Sequence, residues 1–232
     1  MRPKTTLTMA DFLHSWHMFR DRNDAGAQLA ERLEAYRGHD LLVLGIPRGG
    51  VAVAAEIARR LNAELDIIVA RKLGAPFERE LAIGAVTANG GRYLNDALVK
   101  AAGVTVEFLQ AVTADEMAEA DRREGRFRGK RAAPRIDGRT VIVVDDGLAT
   151  GATMRAAVRS LRKRQPARLV VAIPVAPPET CAALRAEVDE IVALYEPELF
   201  LAVGLHYQDF SPTEDREIER LLQANDETVH GG

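Results

Sequence analysis

Cysteine is almost absent from this sequence: Cys181 stands alone among 232 residues, so no disulfide can form within the chain. Its surroundings, PPETCAALRAE, have the pattern of an amphipathic helix, where a lone thiol is a core group. Lysine is scarce too, with Lys4, Lys72, Lys100, Lys130 and Lys163 set against 26 arginines, so each lysine can be weighed singly. Aromatic residues make up only 5%. No apolar run approaches the roughly 18 residues that a bilayer-spanning helix needs. The opening MRPKTTLTMADFLHSWHMF has no uninterrupted apolar stretch and no small-residue cleavage site. Neither sign of charge dominates, the net charge being −3, which argues against a broad nucleic-acid surface. Together these absences predict a soluble cytoplasmic protein, with neither a membrane nor a nucleic acid as partner.

What is present is an ordinary globular composition, 47% hydrophobic and 28% charged, long enough to bury a sizeable core. Residues 19–37 space Ala25, Leu29, Leu33 and Tyr36 as in a helix. The run 41–46 (LLVLGI) reads as a strand buried on both faces, followed by a helix over 51–61 and a second buried strand over 65–72 (LDIIVARK). Residues 73–95 hold four glycines and predict a long loop with one or two short antiparallel strands. A helical stretch follows from about Asp96 to Arg128, with Thr113 and Glu116 spaced as a capping box. TVIVV (140–144) is a strand leading through a small-residue loop into a helix, LVVAIPV (169–175) another strand. A helix at 178–187 and a short strand at 191–194 come next. This β-α alternation predicts an α/β fold with a parallel central sheet flanked by helices, a Rossmann-like core, in one domain over 1–232. The core spans about 38–195; 1–37 and 196–232 are its decorations.

Ligands of such sheets bind beyond the carboxyl ends of the strands. Three segments of unusual chemistry fall there: Gly45–Gly50, Arg71–Pro76 and Asp145–Thr153. In the last, two adjacent carboxylates, Asp145 and Asp146, are followed by Gly147, Ala149, Thr150, Gly151, Ala152 and Thr153 at a helix start. Small residues let backbone amides converge on an anion, the helix dipole favours negative charge, and two hydroxyls add donors. A phosphate monoester suits that donor set, and the acids suit a polyol or metal ion beside it. A Walker loop is excluded because Ala152 follows Gly151, and no Gly-x-Gly-x-x-Gly occurs.

The string Val-Val-Asp-Asp-Gly-Leu-Ala-Thr-Gly-Ala-Thr resembles the signature of type I phosphoribosyltransferases that binds phosphoribosyl diphosphate (PRPP), and the likeness in topology runs from about residue 40 to 195. The resemblance implies a flexible loop over the site, here the Gly-rich 73–95 segment, and a small hood that selects the base. It places the 5-phosphate on Ala149 to Thr153 and the ribose hydroxyls on Asp145 and Asp146. Gly45-Ile-Pro-Arg-Gly-Gly50 is similar to the family's diphosphate loop, often built around a non-proline cis peptide, which here would fall near Pro47–Arg48. Arg48 and the amides of Gly49 and Gly50 would then face diphosphate, with Arg71 and Lys72 as the basic residues nearby. Asp145, Asp146, Arg48 and Lys72 become the catalytic candidates. Mg²⁺ is implied as cofactor, held mainly by PRPP or by Asp145 or Asp146, and a homodimer is the family's common assembly.

The implied reaction moves the phosphoribosyl group from PRPP to a ring nitrogen of a nucleobase or related heterocycle, in nucleotide metabolism. A PRPP-sensing regulator, or an enzyme of another sugar phosphate, remains open beside it. Ala149 stands where hypoxanthine-guanine enzymes hold an Asp, so it offers no proton-transfer group. Phe200 or Tyr207 is placed to stack on a base or to pack. His14, Trp16 and His17 read as a docking segment. Arg20, Asp21, Arg22 and Asp24 read as a solvated ion-pair cluster, with the edge of a hood over the site as the alternative, and the six basic residues of 122–131 read as a solvated helix end.

Overall fold

The computed structural model describes residues 18–230; His14, Trp16 and His17 lie outside the described residues. The chain opens with α1 (Arg22–Arg32) and a 3₁₀ turn (Glu34–Tyr36), then β1 (Leu41–Gly45), α2 (Gly49–Leu61) and β2 (Glu64–Ile67). Next come β3 (Ala70–Gly74), β4 (Ala82–Thr87), β5 (Arg92–Leu94), α3 (Asp96–Ala101) and α4 (Val106–Arg128). β6 (Thr140–Val144), α5 (Ala152–Arg162), β7 (Arg168–Val175), α6 (Pro178–Arg185) and β8 (Glu190–Tyr195) complete the β-α alternation. A 3₁₀ turn (Val203–His206) and α7 (Asp215–His230) follow.

The main sheet has the order β2-β1-β6-β7-β8, and every pairing in it is parallel. This is the α/β architecture that the continuous apolar runs predict, since strands covered on both faces need no polar alternation. One face packs on α1, α2 and α7 through residues such as Leu29, Ile57 and Leu222, the other on α5 and α6 through Met154, Leu161 and Leu184. Each such side chain contributes about 1.5–3 kcal/mol on burial, so the layers outweigh any single polar contact. In the register, Gly45 lies opposite Val144, so β1 and β6 end level, and the segments after them emerge side by side.

Several expectations need correction. LDIIVARK is two strands in two sheets: β2 stops at Ile67 and β3 pairs antiparallel with β4. The reason is polar. Asp66, 2% exposed, takes a hydrogen bond from Arg128 Nε (2.9 Å), Arg128 also donates to the Ile67 carbonyl (2.9 Å), and the Val69 amide donates to Glu124 Oε1 (3.0 Å). Side chains of α4 thus take over backbone groups that a continuing ladder would have used. The two short antiparallel strands expected within 73–95 are there as β4 and β5, and β3 joins them in a sheet of order β3-β4-β5. The stretch from Asp96 is two helices, broken where Gly103 adopts a positive φ of +59°. Thr105, not Thr113, caps α4 by accepting from the Phe108 amide (3.2 Å).

The basic run 122–131 is a fastening rather than a solvated helix end: Arg126 pairs with Asp215 (2.8 Å), Arg128 with Asp66 and Glu124, and Arg131 with Asp226 (2.7 Å). The segment after Glu196 is part of the packed structure as well, since Ile218 and Leu222 enter the core and Asn225 bonds to Ala63 and Leu65 beside the β2 edge. Cys181 is buried, as expected, and burial pushes its thiol up to about 12, leaving it unreactive at neutral pH. Among the described residues no helix is long and apolar enough to cross a membrane.

Candidate active site

Beyond the carboxyl ends of β1 and β6 the chain makes two strand-to-helix turns in contact. Ile46 donates to the Val144 carbonyl (2.9 Å), which holds Pro47–Gly50 against Asp145–Gly147. The Pro47–Arg48 peptide is cis, at the position the resemblance implied. A Cβ on Gly50 would lie 2.7 Å from the Val144 carbonyl oxygen and 2.8 Å from Asp145 Cα, so only glycine fits between these turns.

The helix starts separate by capping. α1, α3 and α4 each have a side-chain cap, from Asp21, Asn95 and Thr105. α2 and α5, the two helices that begin at this site, have none, and α6, which starts at Pro178, has none either. An uncapped first turn leaves amide donors for a ligand, and its dipole favours an anion. Gly151 opens α5 from a left-handed conformation (φ +69°), and the Thr180 hydroxyl ties the loop down by donating to the Ala149 carbonyl (2.7 Å).

Asp145, Thr153 and Pro47 line one cleft of about 770 Å³ together with Arg71 and Lys72 of β3 and Phe108 of α4. Arg71 is committed to Glu116 across that cleft (2.8 Å). Lys72 and Arg79 in the cleft wall and Arg48 beside it are exposed and enter no ion pair among the described residues, which leaves them as the available cations. Arg48, Gly49, Gly50, Asp146, Gly147 and the loop Ala149–Ala152 adjoin this cleft along the chain but do not form its wall.

Asp146 faces elsewhere. Its Oδ2 accepts from Arg22 Nε (2.9 Å) and pairs with the second guanidinium nitrogen at 2.8 Å, with the two side chains only 12% and 16% exposed. Arg22 also donates to the Ser211 carbonyl (2.7 Å) and lies 4.1 Å from the centre of the Phe210 ring. The expected solvated cluster therefore divides: Asp21 caps α1, Arg20 pairs with Asp24 in the open, and Arg22 turns inward. Burial, and then the neighbouring Asp146 charge, push the Asp145 carboxyl well above the usual range; burial raises Asp146 as well, against the pull of Arg22.

Tyr207 packs between Phe19 and Phe210 (5.3 and 5.1 Å between ring centres), and its hydroxyl donates to the Asp146 carbonyl (2.7 Å). It fastens the segment after Glu196 to the acidic turn and is not free to stack on a base. Phe200 is stacked on His206 at 5.7 Å. Arg22 and Phe210 are the site residues that sequence reasoning missed. The signal that existed was Arg22 lying just inside a cap, with nothing local to say which of many acids it would meet.

A family model described as a phosphoribosyl transferase domain matches residues 15–198. Two curated proteins of Mycobacterium tuberculosis, from strains CDC 1551 / Oshkosh and H37Rv, carry provisional names as phosphoribosyl transferases. Each is 44% identical over 205 residues, covering 88% of this chain and 46% of the relative, so the chain spans about half the length of these relatives. A crystal structure of a Thermus thermophilus protein, 43% identical, covers 89% of this chain and 98% of its own, with a TM-score of 0.76.

Proposed function

Because this chain belongs to the phosphoribosyl transferase domain family, we propose that it transfers the 5-phosphoribosyl group of PRPP to a nucleobase or related nitrogen heterocycle, releasing diphosphate. The observation that carries this reading is the meeting of Asp145, Thr153 and the uncommitted Lys72 in one cleft at two uncapped helix starts. The amides of 152–154 and the hydroxyls of Thr150 and Thr153 bind the 5-phosphate. Asp145 accepts from the ribose hydroxyls, and its charge favours the positive character that develops on the sugar ring. Lys72 and Arg48, with the amides of Gly49 and Gly50, neutralise the departing diphosphate. Closure of the cleft around the sugar excludes water, which would otherwise capture the ring carbon.

Mg²⁺ fits these residues. Among the described residues no cluster of three or more His, Cys, Asp or Glu side chains forms a metal cage. The cleft offers the carboxylate of Asp145 with Asp146 adjacent, a sparse donor set that suits an ion keeping substrate oxygens and water. When bound, Mg²⁺ supplies positive charge to the diphosphate oxygens.

The test is incubation with PRPP and Mg²⁺ against a panel of nucleobases, following diphosphate release. Release that depends on one base, and is lost in Asp145→Asn/Asp146→Asn, is the expected result. PRPP binding without turnover on any base would favour a regulatory protein, and no PRPP binding at all would sink the reading.

A pH dependence follows from the acidic pair. Asp145 accepts from both ribose hydroxyls at full strength only when ionised, since protonation turns one of its oxygens into a donor, and the pKa values of Asp145 and Asp146 stand above the ordinary carboxylate value of about 4. PRPP affinity should therefore fall as pH drops through a window above that value. Stability of the free protein has the opposite sign: the native state binds more protons than the unfolded chain there, so stability falls as pH rises through the window. Arg22→Met removes the charge that holds Asp146 down and should move the acid limb to higher pH. KM for PRPP against pH, in both proteins, checks it; superimposable profiles would contradict this account.

A further inference from the structure

A second cavity of about 690 Å³ lies between the β4–β5 turn, α4 and the end of α5. Its rim is cationic, with Arg92, Arg159, Arg162 and Lys163, and Glu187 is the one acid in its lining. That acid is already used, pairing with Arg159 (2.8 Å) and with Arg155. Arg162 pairs with Asp189 (3.0 Å). Arg92 and Lys163 have no carboxylate partner among the described residues; Lys163 Nζ donates only to the Gly90 carbonyl (3.1 Å). Both therefore bring uncompensated positive charge to the two flanks of the β4–β5 turn.

The interior is different in kind. Val86, Met117 and Val158 give it an apolar wall, and the Thr113 hydroxyl, which is buried there, has no hydrogen-bond partner among the described residues. Buried hydroxyls are normally satisfied, and an orphan in a cavity wall marks where a ligand's polar atom would sit. An apolar pocket with a few convergent polar groups and a rim of free cations fits a flat heterocycle carrying a phosphate chain.

We propose that this cavity is a binding site for a nucleoside diphosphate, distinct from the PRPP cleft. The base lies against Val86 and Met117 with Thr113 as its hydrogen-bond partner, and the two phosphates meet Arg92 and Lys163. The site does not depend on the transferase reading. The β4–β5 turn that it grips is seated on α5, where a Cβ on Gly91 would overlap Ser160 and the Ala156 carbonyl. α5 in turn begins at the candidate phosphate loop, so a ligand here braces the helix whose first turn receives the substrate.

Calorimetry of the full chain with ADP tests this. Three proteins are compared: unaltered, Asp145→Asn/Asp146→Asn, and Arg92→Ala/Lys163→Ala. The last pair is exposed and makes no ion pair, so folding should be unaffected, which a thermal melt checks. Expected is ADP binding that survives in the acidic-pair variant and in the presence of saturating PRPP, and that weakens at least tenfold in Arg92→Ala/Lys163→Ala, as loss of charge-assisted contacts implies. Thr113→Val should weaken ADP more than inorganic diphosphate. No binding below about 1 mM, binding displaced by PRPP, or equal affinity in Arg92→Ala/Lys163→Ala would each overturn the proposal. Loss of base-dependent turnover alone would count only against the transferase reading.

Discussion

Gly50→Ala is expected to lower kcat/KM for PRPP by about a hundredfold or more, the scale that an ångström of misplacement produces in a positioned site. The new methyl would meet the Val144 carbonyl oxygen at 2.7 Å and Asp145 Cα at 2.8 Å. Both are backbone atoms at the end of a central strand and neither can rotate away. Relief has to come from α2 moving off β6, which parts Pro47 from Asp145 and opens the cleft at its base. Overpacking of this kind costs about 1–3 kcal/mol, so the protein should still fold. Gly49→Ala gives a useful contrast, because its methyl would overlap Asp146 Oδ2 and press on Arg22, both side-chain ends. It should disturb the ion pair and spare the backbone, with a smaller loss. Gly125→Ala, in the last turn of α4 with nothing within 4 Å, should leave activity intact and add about 0.4–1 kcal/mol of stability. Steady-state kinetics and urea unfolding of the three variants decide the matter. Equal activity in Gly50→Ala and Gly125→Ala would show that the contact of the two turns does not position the site.

Arg128→Ala should lower stability by about 3–5 kcal/mol at neutral pH, the scale for stranding one member of a buried ion pair. The guanidinium holds Asp66 Oδ2 at 2.9 Å and Glu124 Oε2 at 2.8 Å and donates to the Ile67 carbonyl, all at the point where the chain leaves the main sheet. Burial already raises the Asp66 carboxyl, and Arg128 is the chief opposing charge. Without it the pKa climbs further, so part of the loss should return as the pH falls and Asp66 takes up a proton. Urea unfolding at pH 7 and pH 5 reads both effects. A loss under about 1 kcal/mol at pH 7, typical of surface pairs, would mean that water reaches Asp66 freely.

The strands of the main sheet were legible because being buried on both faces writes itself into a short window as an unbroken apolar run. The loop Asp145–Thr153 was legible for a related reason: acids, small residues and hydroxyls in that order have few uses at the end of a buried strand. LDIIVARK misled because its apolar pattern continues past Ile67 while its polar residue, Asp66, is claimed by a helix some sixty positions away. Thr113–Glu116 misled in the same manner, a capping spacing inside a helix whose Glu116 serves Arg71. The orientation of the acidic pair, with Asp145 toward the cleft and Asp146 toward Arg22, had no local sign.

The sequence by itself determined the parallel α/β core, the small-residue cradle after β6 and the glycine-rich turn after β1. Each of these depends on neighbours within a few positions, where backbone conformation and burial are set. Only the tertiary structure decided which arginine meets which acid, including Arg22 with Asp146 across 124 positions and the α4 arginines Arg128 and Arg126 with β2 and α7. With 26 arginines and 34 acidic residues in the chain, the charges admit a great many pairings of similar strength. The packing of apolar faces selects among them, because it brings particular surfaces together before any pair can form.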